Sequence, residues 1–320
     1  MNLTNPLNNL KKKTNRAYAT AHFALELGND DKIGLVRSIE GGGVKAEVMS
    51  SQFGGNTERL RQTGKPKFDD IKVNVGMSMS EPFYSWIAEF FSGGSSRRDG
   101  AISAADADYR ERARREFTGA LIKEVTFPAL AGSDKNPAQM AVSLAVEDIT
   151  FAAGDGEKLT IGPGTDKQRR WTACNFFFSL DGFDEACRRC TKVESFTIKQ
   201  TIIEHHTGGT RTALKLGSRI EFPNLVFTIP EADAGKLYDL AKQTLVDGAV
   251  KPLTGHLDYM DHSGKKTLAT LTYGGATLVS ITADKADASS GDIKQVKVEL
   301  AVESMKFEYK PVVAAKPGKF

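Results

Sequence analysis

Apolar and polar residues alternate with a period of two along most of the chain, the pattern of strands that bury one face. Turn residues separate these short runs, and that spacing is typical of a sandwich or small barrel. The sequence therefore predicts a mainly β fold. The predicted strands lie near 19–27, 32–38, 43–51, 69–76, 117–127 and 139–151, and then near 172–180, 186–193, 195–205, 223–229, 266–273, 276–282 and 293–308.

One amphipathic helix is expected to interrupt the strands in each half of the chain. Ser80-Glu81-Pro82 is a helix start signal, with a capping residue followed by an acid and a proline. Residues 104–116 predict a further helix, because aspartates come first and arginines last. The apolar stripe that packs the helix consists of Phe83, Trp86, Ile87 and Phe90 in the first half, and of Leu237 and Leu240 in the second.

The chain contains an internal repeat. Residues 38–75 align without a gap on residues 192–229, and the pair Gly54-Gly55 falls on Gly208-Gly209. Further on, Leu144-Ala145-Val146-Glu147 returns as Leu300-Ala301-Val302-Glu303, and the alternation changes parity after both, which predicts a shared β-bulge. The predicted organisation is an arm (1–18), a first β-domain (19–153), a linker (154–170), a second β-domain (171–311) and a tail (312–320).

A long segment between two strands stands out in each copy, at 51–67 and at 205–221. Loops longer than about 15 residues in compact domains are usually functional or disordered. Two interpretations stay open: a solvated loop, or an arm that docks on a neighbouring subunit. The residues predicted to make such contacts are Gly54, Gly55, Asn56, Arg59, Arg61, Gly64 and Phe68 in the first copy, and Gly208, Gly209, Arg211, Lys215 and Phe222 in the second.

The first copy contains an ordered series of residues: Gly54-Gly55-Asn56, Arg59, Gly64, Phe68, Ile71, Gly76, Ser80 and Trp86. This series covers most of the first copy and resembles the pattern of the tail-tube proteins of contractile phages and phage-derived injection systems, which are related to the tube protein of type VI secretion. The second copy keeps the glycines but has Thr210, Pro230 and Leu240 at three positions of the pattern.

The resemblance implies a structural, self-assembling component of the inner tube, or of the baseplate ring next to it, that forms a hollow conduit for DNA or protein. Its implied partners are further copies of the chain, a contractile sheath protein and baseplate or hub proteins, with no membrane. It would assemble in the cytoplasm and end in a virion tail or injection particle. Three two-domain chains in a six-domain ring are favoured over six chains. The alternative is a duplicated β-domain that binds a ligand or protein without polymerising.

Composition and motifs favour no catalytic chemistry. Lysine and arginine (43) nearly balance aspartate and glutamate (40), so no strong field attracts nucleic acid or an anionic membrane. The chain has no phosphate-binding loop pattern and no nucleophile elbow, and we expect neither an enzyme nor a cofactor. Cys187 and Cys190, with His205 and His206, form a weak candidate zinc set, and the interpretation favours ordinary thiols.

Overall fold

A computed structural model describes residues 22–28, 31–52, 54, 59–76, 79–159, 171–284 and 293–310. The predicted N-terminal arm, the C-terminal tail and most of the linker lie outside these residues. The described part is mainly β, as the sequence predicts, with sheets of the barrel or sandwich type.

The first half of the chain contains eleven described strands and one helix. In chain order these are β1 (His22–Leu27), β2 (Asp31–Val36), β3 (Ser38–Gly41), β4 (Val44–Gln52), β5 (Arg59–Phe68), β6 (Ile71–Gly76), α1 (Glu81–Phe91), β7 (Arg98–Ala105), β8 (Glu111–Phe127), β9 (Leu130–Ala131), β10 (Gln139–Ala145) and β11 (Asp148–Ala153).

The second half contains nine described strands and two α-helices, with a 3-10 turn (Glu231–Asp233) before α3 and a π-helical segment (Lys242–Val246) after it. In chain order its elements are β12 (Phe176–Leu180), α2 (Asp184–Cys187), β13 (Lys192–Val193), β14 (Phe196–His205), β15 (Leu214–Glu221), β16 (Leu225–Pro230), α3 (Gly235–Ala241), β17 (Leu253–Met260), β18 (Thr267–Ala283), β19 (Gln295–Ala301) and β20 (Ser304–Tyr309).

Both halves have the same strand order, apart from β2, which extends the first sheet beyond β1. The first sheet runs β1-β7-β8-β10-β6-β3 with β11 also on β8, and the second runs β12-β17-β18-β19-β16-β13 with β20 also on β18. Even the registers agree, because Val142 faces Val73 in the first sheet as Val298 faces Phe227 in the second. The repeat found in the sequence is therefore a repeat of the fold.

Both copies contain a β-bulge at the same place. The strand that bulges is the neighbour of the strand that was predicted to bulge. Leu144 pairs with Ile122 and Ser143 with Glu124, so the ladder skips Lys123 on β8. The ladder skips Val279 on β18 in the same way. The change of parity itself coincides with the breaks between β10 and β11 and between β19 and β20.

A glycine with positive φ faces each of these breaks. Gly119 has φ 62° and Gly275 has φ 64°, a conformation that side chains rarely adopt. A Cβ on Gly119 would also overlap the carboxylate of Glu147, and one on Gly275 would overlap that of Glu303. The two glycines therefore let the repeated glutamates lie across the neighbouring strand.

The predicted helix over 104–116 is wrong. These residues end β7, make a turn and begin β8. The charge order resembles that of a helix, but β8 pairs with β7 on one side and with β11 on the other, and this tertiary pairing overrides local propensity. Arg114 lies between Glu26 and Glu111, at 2.8 and 3.5 Å, so the charges form a cross-strand group instead.

Two further differences concern strands. The segment predicted as a strand over 186–193 begins inside the short helix α2, and only Lys192–Val193 is extended. Strands β7 and β17 were not predicted. In β17 the buried positions alternate, but one of them is Gly255, which weakens its apolar pattern.

A continuous hydrophobic core joins the two halves. Helix α1 begins after Ser80 with a proline in its first turn, as the start signal predicts. Its stripe of Phe83, Trp86, Ile87 and Phe90 is buried, as are Leu237 and Leu240 on α3. None of the helices in the described ranges is both long and apolar enough for a bilayer crossing.

Candidate assembly site

Each of the two long segments is a β-hairpin rather than a loop. Strands β4 and β5 form a two-stranded ribbon, here called arm 1, and β14 and β15 form arm 2. The loop predictions over 51–67 and 205–221 are therefore wrong for most of their length. Strand β4 was predicted, but β5 is exposed on both faces over most of its length, so no strict alternation marks it in the sequence.

Arm 1 presents its two predicted arginines to solvent, whereas Gly64 is half-buried. Gly54 lies in the turn with φ 64°, and Arg59 and Arg61 are exposed on β5. Phe68 ends β5 and packs at the margin of the core. Gly55 and Asn56 lie outside the described residues.

Arm 2 contacts arm 1 near its turn. The Arg211 guanidinium donates to the carbonyl oxygen of Gly64 at 3.3 Å. In the other direction, Lys65 donates to the carbonyl oxygens of Thr207 and Thr210 at 3.2 and 3.3 Å. The exposed turn carries Gly208 and Gly209, and Phe222 packs at the margin of the core.

The base of arm 2 adds a strand to the sheet of the first half. Strand β14 pairs with β8 over four residues, and this pairing brings Ile198 opposite Val125. Both side chains are fully buried. The exchange is reciprocal, because β9 of the first half pairs with β13 in the second sheet. We call this contact between the two halves the internal interface.

Glu147 anchors arm 2 at the internal interface. Its carboxylate accepts a hydrogen bond from the backbone N–H of Lys215 at 2.7 Å and lies 3.4 Å from the Arg97 guanidinium. Arg97 also donates to the carbonyl oxygen of Lys215 at 2.7 Å. The Lys215 side chain is buried, and this desolvation lowers its pKa.

Helix α1 completes the internal interface by packing on β20. Tyr84 stacks on Tyr309 with ring centroids 4.1 Å apart, and Phe91 stacks on Phe307 at 6.0 Å. Trp171 lies on the other side of the same aromatic group, 6.1 Å from Tyr84. Burial raises the pKa of Tyr84, so its hydroxyl stays neutral and accepts from a backbone N–H.

The candidate zinc residues are not brought together as a metal site. Cys187 and Cys190 lie in and just after α2, whereas His205 and His206 are exposed where arm 2 turns. Burial raises the pKa of both thiols to about 12. Within the described ranges, no three His, Cys, Asp or Glu side chains are grouped closely enough to hold a metal ion.

The geometry thus offers strand edges, anchoring carboxylates and aromatic contacts, which are features of a surface that binds protein. Residues 19–150 match the family model of the T4-like virus tail tube protein gp19. This match covers less than half of the chain's 320 residues and shows that this part of the chain is similar to a tail tube protein. The resemblance to the tail-tube family, which was based on residues such as Gly54, Arg59 and Trp86, is thereby confirmed for the first half. The second half lies outside the match and shares its strand order with the matched part of the chain.

Several solved structures are similar to parts of the chain. A chain of the anti-feeding prophage baseplate is 18% identical, with a TM-score of 0.34 over 42% of this chain and 91% of that one. A chain of the PVC extracellular contractile injection system, from its extended sheath–tube complex, is 17% identical, with a TM-score of 0.38 over 44% and 94%. Hcp1 from Flavobacterium johnsoniae is 8% identical, with a TM-score of 0.26 over 42% and 95%. No curated protein matches the sequence.

Sequence reasoning predicted some of the residues that join the two halves, namely Lys215, Arg211 and Gly64, but missed others. It singled out the arms but not Ile198 or Tyr84, which lie at the internal interface. A signal for Glu147 was present, since the motif that contains it is one of the clearest repeats in the chain. The burial of Tyr84 gave no such signal, because Tyr238 occupies the same place in the repeat.

Proposed function

We propose that the chain is a structural, self-assembling component of a contractile phage tail or injection system, in its inner tube or in the baseplate ring next to the tube. One observation carries the proposal: the part of the chain that matches the tail tube family model is followed by a second copy of its strand order, which adds a strand to its sheet. An open sheet edge that receives a strand from a neighbouring domain is the means by which β-domains associate.

The proposed organisation is two tandem tube-like domains, 19–153 and 171–311, joined by the linker 154–170. Because β14 pairs with β8, the two sheets meet edge to edge, as neighbours around a ring would. This supports three chains in a six-domain ring over six chains that each span two layers. The resulting hollow ring would be a conduit for DNA or protein, without catalysis or a cofactor.

The ends of the arms are the proposed contacts to adjacent rings. Arg59 on arm 1 and Arg211 on arm 2 are exposed basic residues near the turns of these ribbons. A sheath protein and baseplate or hub proteins are the proposed further partners. Assembly would take place in the cytoplasm, before incorporation into a virion tail or an injection particle.

Light scattering with size-exclusion chromatography, followed by negative-stain microscopy, tests this proposal on the purified full chain. We expect rings or stacked rods with a central hole, and a mass of three chains for a single ring. A mass of six chains would support the two-layer arrangement. A chain that stays monomeric at every concentration tested would overturn self-assembly and favour a non-polymerising binding module.

A further inference from the structure

The internal interface predicts the contact between two chains, because each of its parts has a counterpart elsewhere in the repeat. The first half contributes β8, Glu147 and α1, and the second contributes β14, Lys215 and β20. In the repeat, the counterparts of the first set are β18, Glu303 and α3. The counterparts of the second set are β4, Arg61 and β11. If the two sets of counterparts meet in the same way, they must belong to different chains.

The strand edges are the first pair of counterparts. Ile198 and Val125 are fully buried where β14 meets β8. Val44 and Ile281 occupy the same places on β4 and β18, yet Val44 is 53% exposed. Strand β4 pairs only with β5, and β18 pairs only with β19 over residues 277–283, as far as the described residues show. Both outer edges therefore remain open to a further strand.

The repeated glutamates are the second pair. Glu147 is largely buried and receives the backbone N–H of Lys215. Its counterpart Glu303 is exposed, and Arg61, which occupies the place of Lys215 in arm 1, is exposed as well. A carboxylate on one surface thus matches a backbone donor and a guanidinium on the other.

The helix contacts are the third pair. Tyr84 on α1 is fully buried against Phe307 and Tyr309 of β20. Its counterpart Tyr238 on α3 is 38% exposed, and Phe151, the counterpart of Phe307 on β11, is 54% exposed. In a single chain, the large side chains at both places are therefore exposed to solvent. The π-helical segment that follows α3 extends this surface with Leu245 and Val246, which are also exposed.

We propose that a second copy of this chain docks head to tail on these surfaces. Strand β18, Glu303 and α3 of one chain contact β4, Arg61 and β11 of the next, and Val44 lies opposite Ile281 as Ile198 lies opposite Val125. The contact is heterologous, because the two surfaces are different, so it continues until a ring closes or a helix forms. The inference rests on the proposed function in that both require self-assembly, but it specifies which surfaces meet and in which register.

Disulfide cross-linking tests the register directly. Residues directly opposite each other in an antiparallel pair have Cα atoms about 4.5–5.5 Å apart, within the range that a disulfide spans. We expect neither Val44→Cys nor Ile281→Cys to cross-link alone under mild oxidation, and a mixture of the two proteins to give a two-chain product. The double variant should give a ladder that ends where the ring closes.

Val48→Cys combined with Ile281→Cys is the matched control, since it places the thiol four residues along the same strand and should not cross-link. The wild type measures the background from the native cysteines. Rings that form without the cross-link of Val44 to Ile281, or a single variant that cross-links to itself, would overturn this inference and leave the proposed function standing. A protein that stays monomeric would overturn both.

Phe151→Asp tests the helix contact without requiring a disulfide. Phe151 is exposed in a single chain, so the melting temperature of the monomer should stay close to that of the wild type while assembly is lost. Phe177→Asp is the control, because Phe177 is also an exposed phenylalanine but lies on β12, outside the proposed surfaces. Normal assembly of the Phe151→Asp variant would contradict the inference.

Discussion

Replacement of Ile198 by alanine measures how strongly the internal interface stabilises the fold. Ile198 is fully buried opposite Val125, so the substitution leaves a cavity between β14 and β8. Its counterpart Val44 provides a matched comparison, because it occupies the same place in arm 1 but is 53% exposed. The two alanine variants therefore differ mainly in what covers the site.

The expected losses follow from these exposures. Ile198→Ala removes three buried carbons, which corresponds to about 2.4 kcal/mol at about 0.8 kcal/mol per carbon. The cavity adds to this transfer cost, so we expect a total loss of about 3–4 kcal/mol in the free energy of unfolding. Val44→Ala removes two carbons that are about half exposed, which corresponds to less than about 1 kcal/mol in the monomer.

Urea unfolding of monomeric protein measures both losses. Fluorescence is a suitable probe because Trp86 and Trp171 are both buried, the second within the aromatic group of the internal interface. At constant slope, the shift of the midpoint gives the change in stability. Losses for Ile198→Ala that are no larger than those for Val44→Ala would refute the conclusion that strand pairing and burial at this interface stabilise the chain.

Three further predictions use other parts of the molecule. Gly119→Ala should lower the melting temperature more than Gly28→Ala does. Both glycines have positive φ, but only at Gly119 would the added methyl group meet a carboxylate. Equal shifts in melting temperature would contradict this reasoning. Cys187 and Cys190 should resist a thiol reagent at pH 8 until the protein unfolds, because burial raises the pKa of each from 9.0 to about 12. Thiols in the unfolded chain lose their protons at a lower pH than the buried thiols do, so the free energy of unfolding should fall as pH rises from about 9 towards 12. Rapid labelling of the folded protein would argue against buried thiols. Arg59→Glu should shorten stacked rods in micrographs without changing the melting temperature, since Arg59 is exposed, and rods of unchanged length would argue against stacking through arm 1.

The sequence predicted what depends on local pattern. Period-two alternation located most core strands, and Ser80 with Pro82 located the start of α1. The repeat predicted that both halves share one topology. Each of these signals lies within a few neighbouring residues or in a direct comparison of the two copies, so it needs no knowledge of tertiary contacts.

What the sequence did not predict depends on pairing between distant segments. Residues 104–116 have the charge order of a helix, but they form the end of β7, a turn and the start of β8. They do so because β8 pairs with β7 on one side and with β11 on the other. Strand β5 of arm 1 lacks a buried face over most of its length and therefore resembles a loop. Tyr84 and Tyr238 are identical in sequence, and only the presence or absence of a neighbouring β20-type strand decides which one is buried.

The reciprocal strand exchange has a consequence for handling the protein in the laboratory. The Gly-rich linker 154–170 looks like a natural place to divide the gene and express the halves separately. Such a cut would strip β14 from β8 and leave β9 as a two-residue strand without its partner β13. Each fragment would present unsatisfied backbone donors and acceptors beside newly exposed apolar surface, so we expect both to aggregate and only the undivided chain to be soluble.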